Sequence, residues 1–335
     1  MSNKMMNAAV LHAVGDLRYE QVPMPEVGED EVLLKVMACG VCGSDIPRVY
    51  TKGTYHFPTI PGHEFAGQIV ESNDPALLGR RAAVFPLLPC HKCPPCQVGE
   101  FANCMDYDYY GSRRDGAFAE YLAVKKANLI LAPDTLSYEC ASLCEPGAVA
   151  RGAIRHMNVQ LGDLVVVYGA GPIGLIAAQW AKRAGAGCVR VVDISEEKLA
   201  FAAKFGFESY DPEKDGQADA VLEGTGAAPA LNNAVRALKA HGRLVLMGNP
   251  MGDMTIKSDV YSQILRKELT IVGTWNSSYN AVINDWEETI KAMADGSIRY
   301  EELITHRFPL AQVNEALEMM RDKKEFFTKV TLVNE

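Results

Sequence analysis

The chain has 335 residues, 48% of them hydrophobic and 22% charged, and carries a formal net charge of −9. That length passes the roughly 250–300 residues at which a single core stops growing, so two domains are expected. The acidic balance disfavours a nucleic-acid partner, which needs a clustered basic surface, and no apolar run reaches the roughly 18 residues of a membrane span.

Residues Met1–Met6 lack the long apolar core of a signal peptide, so a cytoplasmic protein is expected. Nine cysteines, an odd number, point to metal rather than disulfides in a reducing compartment. The first stretch alternates apolar and polar positions in short runs, Asn7–His12 and Glu31–Met37, broken by Pro23, Pro25 and Gly28, and reads as strands.

A segment from Cys39 to Glu64 follows, reading Cys39-Gly-Val-Cys42-Gly-Ser44-Asp45 and closing Pro61-Gly62-His63-Glu64. Catalytic zinc takes three ligands from Cys, His and Asp or Glu and keeps one position open, and this segment offers that set. Taken alone, a buried cysteine and a core histidine explain it as well. Further strands at Phe65–Val70, Arg81–Phe85 and Ala119–Val124 make the first 150 residues a compact, mostly β domain, with Cys39–Glu64 in one of its loops.

Cys90-His-Lys-Cys93-Pro-Pro-Cys96 and then Cys104 give the spacing C-x2-C-x2-C-x7-C, four thiolates able to close a structural zinc site. Reactive cysteines are the alternative; the ferredoxin spacing of an iron–sulfur cluster is not matched. In Gly111-Ser-Arg113-Arg114-Asp115-Gly116 two adjacent guanidinium groups either receive a phosphate or form a solvated face, and Arg48, near Cys42 in sequence, is a further phosphate candidate. Glu145, before Pro146, is a candidate third zinc ligand beside Glu64.

From Gly162 the pattern changes. Leu164–Tyr168 reads as a buried parallel strand and runs into Gly169-Ala-Gly171-Pro172-Ile173-Gly174 and a helix to about Ala184, a G-x-G-x-x-G fingerprint for a pyrophosphate at a helix N-terminus. Cys188–Val192 then ends in Asp193, placed to bind both ribose hydroxyls of NAD and to repel a 2′-phosphate. Helices at Ser195–Phe205 and Pro229–Ala240 alternate with strands at Ala218–Glu223, Arg243–Met247 and Leu269–Trp275, the signature of a doubly wound parallel sheet. A helix from Asp285, short strands in Glu302–Phe308, a helix Leu310–Arg321 and a strand Phe327–Val333 are expected to return to the first domain.

With the two cysteine clusters and the dinucleotide fingerprint in place, the chain resembles the zinc-dependent medium-chain dehydrogenase/reductase family over essentially its whole length. The segments Pro86–Cys90, Gly111–Gly116 and Ile264–Leu269 resemble the branch of that family acting on polyol phosphates such as galactitol 1-phosphate. The resemblance implies an α/β architecture: a GroES-like, mostly β catalytic domain at 1–155 to which 286–335 return, and a Rossmann domain at 156–285, with the active site between them. It implies two zinc ions per chain, one on Cys42, His63 and Glu145, with Glu64 able to exchange, and one on Cys90, Cys93, Cys96 and Cys104. Asp45 would orient His63, and Ser44 would pass on the proton of an alcohol whose carbon gives hydride to NAD. Many family members carry a His where Pro47 stands, so the proton relay must end elsewhere. The implied substrate is a polyol phosphate held by Arg48, Arg113 or Arg114, the alternative being a free polyol or an amino alcohol. A homodimer or homotetramer pairing along Leu269–Trp275 is also implied. The intact Cys42, His63 and Glu145 set speaks against a non-catalytic nucleotide sensor.

Overall fold

The computed structural model describes residues 4–334, so positions 1–3 and 335 of the expected first domain lie outside the described residues. The chain forms two compact units, Met1–Pro146 with Ser278–Glu335, and Gly147–Ser277.

The first unit is built on a seven-stranded sheet whose centre is the strand Glu31–Val41. Val32, Leu34 and Val36 enter the core, where they meet Phe65, Ile69, Phe118 and Val330. One side of this strand pairs with Glu64–Glu71. The other is shared, by Tyr121–Lys125 along its first half and by Lys329–Val333 along its last residues, all antiparallel. The register sets Gly40 opposite both Glu64 and Thr331, and Val41 opposite Val330, so three chain segments reach one end of the sheet together. Two expected features shift as a result. Cys39 and Glu64 belong to strands, and only Cys42–His63 loops out between them. Glu145 sits in the first turn of a helix, Cys144–Met157, which its Pro146 disguises in sequence because proline is tolerated there.

The second unit is a six-stranded, wholly parallel sheet in the order Glu208–Ser209, Cys188–Val192, Leu164–Tyr168, Ala218–Glu223, Leu238–Leu246, Thr270–Gly273. The order reverses at Leu164–Tyr168 and Ala218–Glu223, the switch point beside which such sheets bind dinucleotides. The helix expected at Pro229–Ala240 stops at Ala237, because Leu238 pairs with Ala218 and opens a strand. Strong local helix formers in Lys239 and Ala240 yield there to sheet pairing. Among the described residues no helix is long and apolar enough to cross a membrane.

Gly174 packs its Cα against the glycine loop it follows: a Cβ there would overlap the carbonyl of Gly169, whose carbon lies 2.9 Å away. Gly174→Ala is therefore expected to lower Tm and to weaken dinucleotide binding at least tenfold, read by nucleotide fluorescence titration, an overpacking cost of about 1–3 kcal/mol.

Candidate active site and metal centres

Past Val41 the chain leaves the sheet and turns at once. The Cys42 N–H donates to Asp45 Oδ2 at 2.9 Å, and the Asp45 N–H returns to the Cys42 carbonyl at 3.0 Å. Asp45 is fully buried, and its other oxygen pairs with the Arg48 guanidinium and lies 3.6 Å from His63 Nδ1. A single carboxylate thus fixes the backbone of Cys42 and faces the imidazole of His63. The histidine arrives from the far end of the loop, where the Pro61 and Gly62 carbonyls accept N–H groups of Phe118 and Ala117 at 2.9 Å each. The Cys42 thiol, a His63 ring nitrogen and a Glu64 carboxylate oxygen come to lie within 4.8 Å of one another.

Burial and neighbouring acids crowd this cluster, and Lys329 opposes them only in part. Burial first, then Glu64 and Asp45, push the Cys42 thiol up to about 12. Burial also raises Glu145 to about 7, with Glu64 adding to the effect and His63 opposing it. His63 Nδ1 is buried without a hydrogen-bond partner. Thiolate, imidazole and carboxylate converging on one buried point form the donor set that fits Zn²⁺.

The two carboxylates left open by the sequence have different surroundings. Glu64 lies inside the cluster but forms a buried ion pair with Lys329, which also donates to the Val41 carbonyl at 3.1 Å. Burial disfavours the Lys329 charge, yet Glu64, Cys42 and Glu145 together outweigh it and hold the ammonium above its ordinary pKa. Gly40 makes room for this pair, since a Cβ there would overlap the Glu64 carboxylate and come within 2.7 Å of Lys329 Cε. Glu145 stands outside the set of mutually close ligand atoms, and its Oε1 accepts the Tyr109 hydroxyl at 3.3 Å.

Cys90, Cys93, Cys96 and Cys104 converge as a second cluster. The Cys93 and Cys104 sulfurs are 3.8 Å apart, far beyond a disulfide and equal to the edge of a tetrahedron with Zn–S of about 2.3 Å. The Met105 N–H leads the backbone donors that lower Cys93 to about 6, while burial keeps Cys96 up at about 12. All nine cysteines are free thiols.

Ser44 is partly buried beside Asp45 and makes no capping bond to the short helical turn Asp45–Pro47. In the second unit, Gly171 caps the helix Pro172–Arg183, and the Asp193 carboxylate accepts N–H groups of Ala170 at 2.8 Å and Ser195 at 3.0 Å, with Lys198 Nζ 3.8 Å away. Asp193 is thereby tied to the glycine loop. The three arginines all have partners. Arg48 is bound to Asp45, and Arg114 pairs with Asp108 at 2.9 Å. Arg113 lies between the rings of Tyr55 and Tyr107, at 4.2 and 4.3 Å. Lys329 and Tyr109 are the site residues that sequence reasoning missed. Lys329 opens the strand Lys329–Val333, and no local signal marks it as buried.

Comparison with known proteins places this geometry among relatives. Residues 28–134 match the alcohol dehydrogenase GroES-like domain, and residues 172–295 match the zinc-binding dehydrogenase domain. Galactitol 1-phosphate 5-dehydrogenase of Escherichia coli is 36% identical over 90% of this chain and 92% of its own. Sorbitol dehydrogenase of Bacillus subtilis is 32% identical over 97% and 96%. The solved galactitol-1-phosphate dehydrogenase from Escherichia coli superposes with a TM-score of 0.91 at 33% identity, covering 98% of this chain and all of that one. A zinc-binding dehydrogenase from Sinorhizobium meliloti solved with NADP gives a TM-score of 0.90 at 28% identity, covering 99% and 100%. An alcohol dehydrogenase from Escherichia coli CFT073 solved with NADH gives 0.89 at 27%, covering 98% and 99%.

Removing one member of a buried ion pair strands the other. Lys329→Met should destabilise the metal-free protein by about 3–5 kcal/mol in urea unfolding, and Lys329→Met with Glu64→Gln should recover most of that loss.

Proposed function

We infer, because the chain belongs to the zinc-dependent medium-chain dehydrogenase family, that it oxidises a secondary alcohol of a polyol phosphate resembling galactitol 1-phosphate and passes the hydride to NAD. The chain is a zinc-type alcohol or polyol dehydrogenase, an oxidoreductase with a nicotinamide cofactor. The observation that carries the finer reading is the buried convergence of Cys42, His63 and Glu64, with Glu145 at its margin and the Arg48 guanidinium on the Asp45 oxygen that also faces His63.

Zinc at that cluster supplies a Lewis acid that lowers the pKa of an alcohol. Cys42, His63 and Glu145 would hold it, with Glu64 able to exchange. Asp45 keeps the imidazole of His63 and the backbone of Cys42 in place, and its negative charge favours the ring tautomer whose proton faces it. Ser44 takes the proton of the substrate hydroxyl and hands it to solvent, since Pro47 has nothing to accept it. Cys90, Cys93, Cys96 and Cys104 would hold a second, structural zinc, making two per chain. Gly169, Gly171, Pro172, Ile173 and Gly174 would cradle the pyrophosphate, and Asp193 the ribose hydroxyls, favouring NAD over NADP. The edge strand Thr270–Gly273, with Ile271 and Trp275 exposed, supports a homodimer or homotetramer. Nine free thiols support a reducing, cytoplasmic setting.

A second reading, a free polyol as substrate, is favoured by the partners that Arg48, Arg113 and Arg114 already have. Steady-state kinetics on a polyol phosphate and its free polyol separates the two. The phosphate should show the higher kcat/KM, and Arg113→Ala should raise KM for the phosphate alone by roughly tenfold to a hundredfold, the worth of a charge-assisted hydrogen bond. Equal use of both substrates selects the free polyol.

Metal analysis should find two zinc ions per chain. Brief chelation should abolish turnover before it unfolds the protein, because a closed four-thiolate site releases metal more slowly than an open one. The ratio of kcat/KM for NAD to that for NADP should exceed ten, and parity would remove Asp193 from its role.

A further inference from the structure

We propose that Tyr109 is a positioning residue of the metal site, its hydroxyl tying one oxygen of Glu145 so that the other is presented as a ligand. The proposal rests on the reading above that Glu145 ligates zinc. Tyr109 is half-buried at one end of the short strand Asp108–Tyr109, opposite Leu87. Its N–H donates to Asp108 Oδ1 at 2.8 Å, and its carbonyl receives N–H groups of Ser112, Arg113 and Arg114 at 3.0–3.3 Å. Its ring lies 5.9 Å from that of His63, tilted by 57°, and 6.2 Å from that of Tyr107. With its backbone tied on both sides and its ring beside those of His63 and Tyr107, the phenol donates to Glu145 Oε1 at 3.3 Å.

The chemistry of the two tethers decides which carboxylate a metal can take. Lys329 neutralises Glu64, so a dication must compete with an ammonium for it. A phenol is a neutral donor: it orients Glu145 and leaves its negative charge to be used. Glu145 is also a long side chain with three rotatable bonds, so the hydrogen bond removes freedom that ligation would otherwise have to remove.

Tyr109→Phe deletes only the hydroxyl. Zinc-loaded enzyme should then lose its catalytic-site metal to a competing chelator roughly tenfold to a hundredfold more readily, the range for partners that orient metal ligands. The four-cysteine zinc should stay bound, which also reports that the unit remains folded. The cobalt-substituted protein should show a shifted visible spectrum, and kcat should fall more than KM rises. In a Glu145→Gln background the same Tyr109→Phe change should add nothing. Wild-type chelator competition and an unchanged cobalt spectrum would overturn the proposal, as would an equal loss in the Glu145→Gln background, which would make the hydroxyl a packing feature. If Glu145→Gln weakens zinc and Tyr109→Phe does not, the role of Tyr109 alone fails. If Glu145→Gln leaves zinc affinity untouched, the ligand assignment fails and takes this proposal with it.

Discussion

Glu64 and Lys329 meet across Gly40 at one end of the central sheet, and both charges are almost wholly removed from water. Isolated, either would cost several kcal/mol to bury, so each is tolerable only because the other is there. The pair dictates local sequence on three strands at once. Position 40 must lack a Cβ, position 64 must open its strand, and position 329 must open another. Cys42 and His63 then inherit their placement, one as the residue just past the central strand and the other as the residue just before Glu64. The convergence that gives the enzyme its candidate metal centre is a by-product of strand register, with Asp45 locking the loop between.

The two cysteine-bearing centres differ in how far apart their parts lie in sequence. Cys90 to Cys104 come from one short loop, and their spacing alone announced a tetrahedral set. Cys42 and His63 were legible for a similar reason: a single loop supplies both. The carboxylate question was not, because its answer depends on Lys329 and Tyr109. Lys329 bonds to Val41 from 288 positions away, a separation that no local pattern records. Tyr109 looked like one aromatic among several in Tyr107-Asp108-Tyr109-Tyr110, and only folding shows which of these faces a carboxylate. Long-range partners of buried charges leave no periodic trace.

Elsewhere local pattern and outcome agree where the pattern is strong. The parallel strands Leu164–Tyr168, Cys188–Val192 and Ala218–Glu223 stand where apolar runs placed them, and Arg190 and Asp219 interrupt two of those runs without hiding them. Agreement fails at boundaries, as at Ala237, where a good helix sequence is captured by a neighbouring strand. The paired arginines show a different limit. Residue type spoke of anions, and the fold sets Arg113 between two tyrosine rings, neighbours that no local pattern marks.

The return of Ser278–Glu335 to the first unit has a consequence for biosynthesis. While the chain emerges from the ribosome, Glu31–Val41 can pair with Glu64–Glu71 and Tyr121–Lys125, but the place of Lys329–Val333 stays vacant until all of Gly147–Ser277 has been made. During that interval Glu64 has no ammonium to face and a stretch of strand edge is open to other chains. The first unit therefore keeps an open strand edge and an unpaired carboxylate until Lys329–Val333 has been made, so that one late strand completes both its sheet and its buried ion pair.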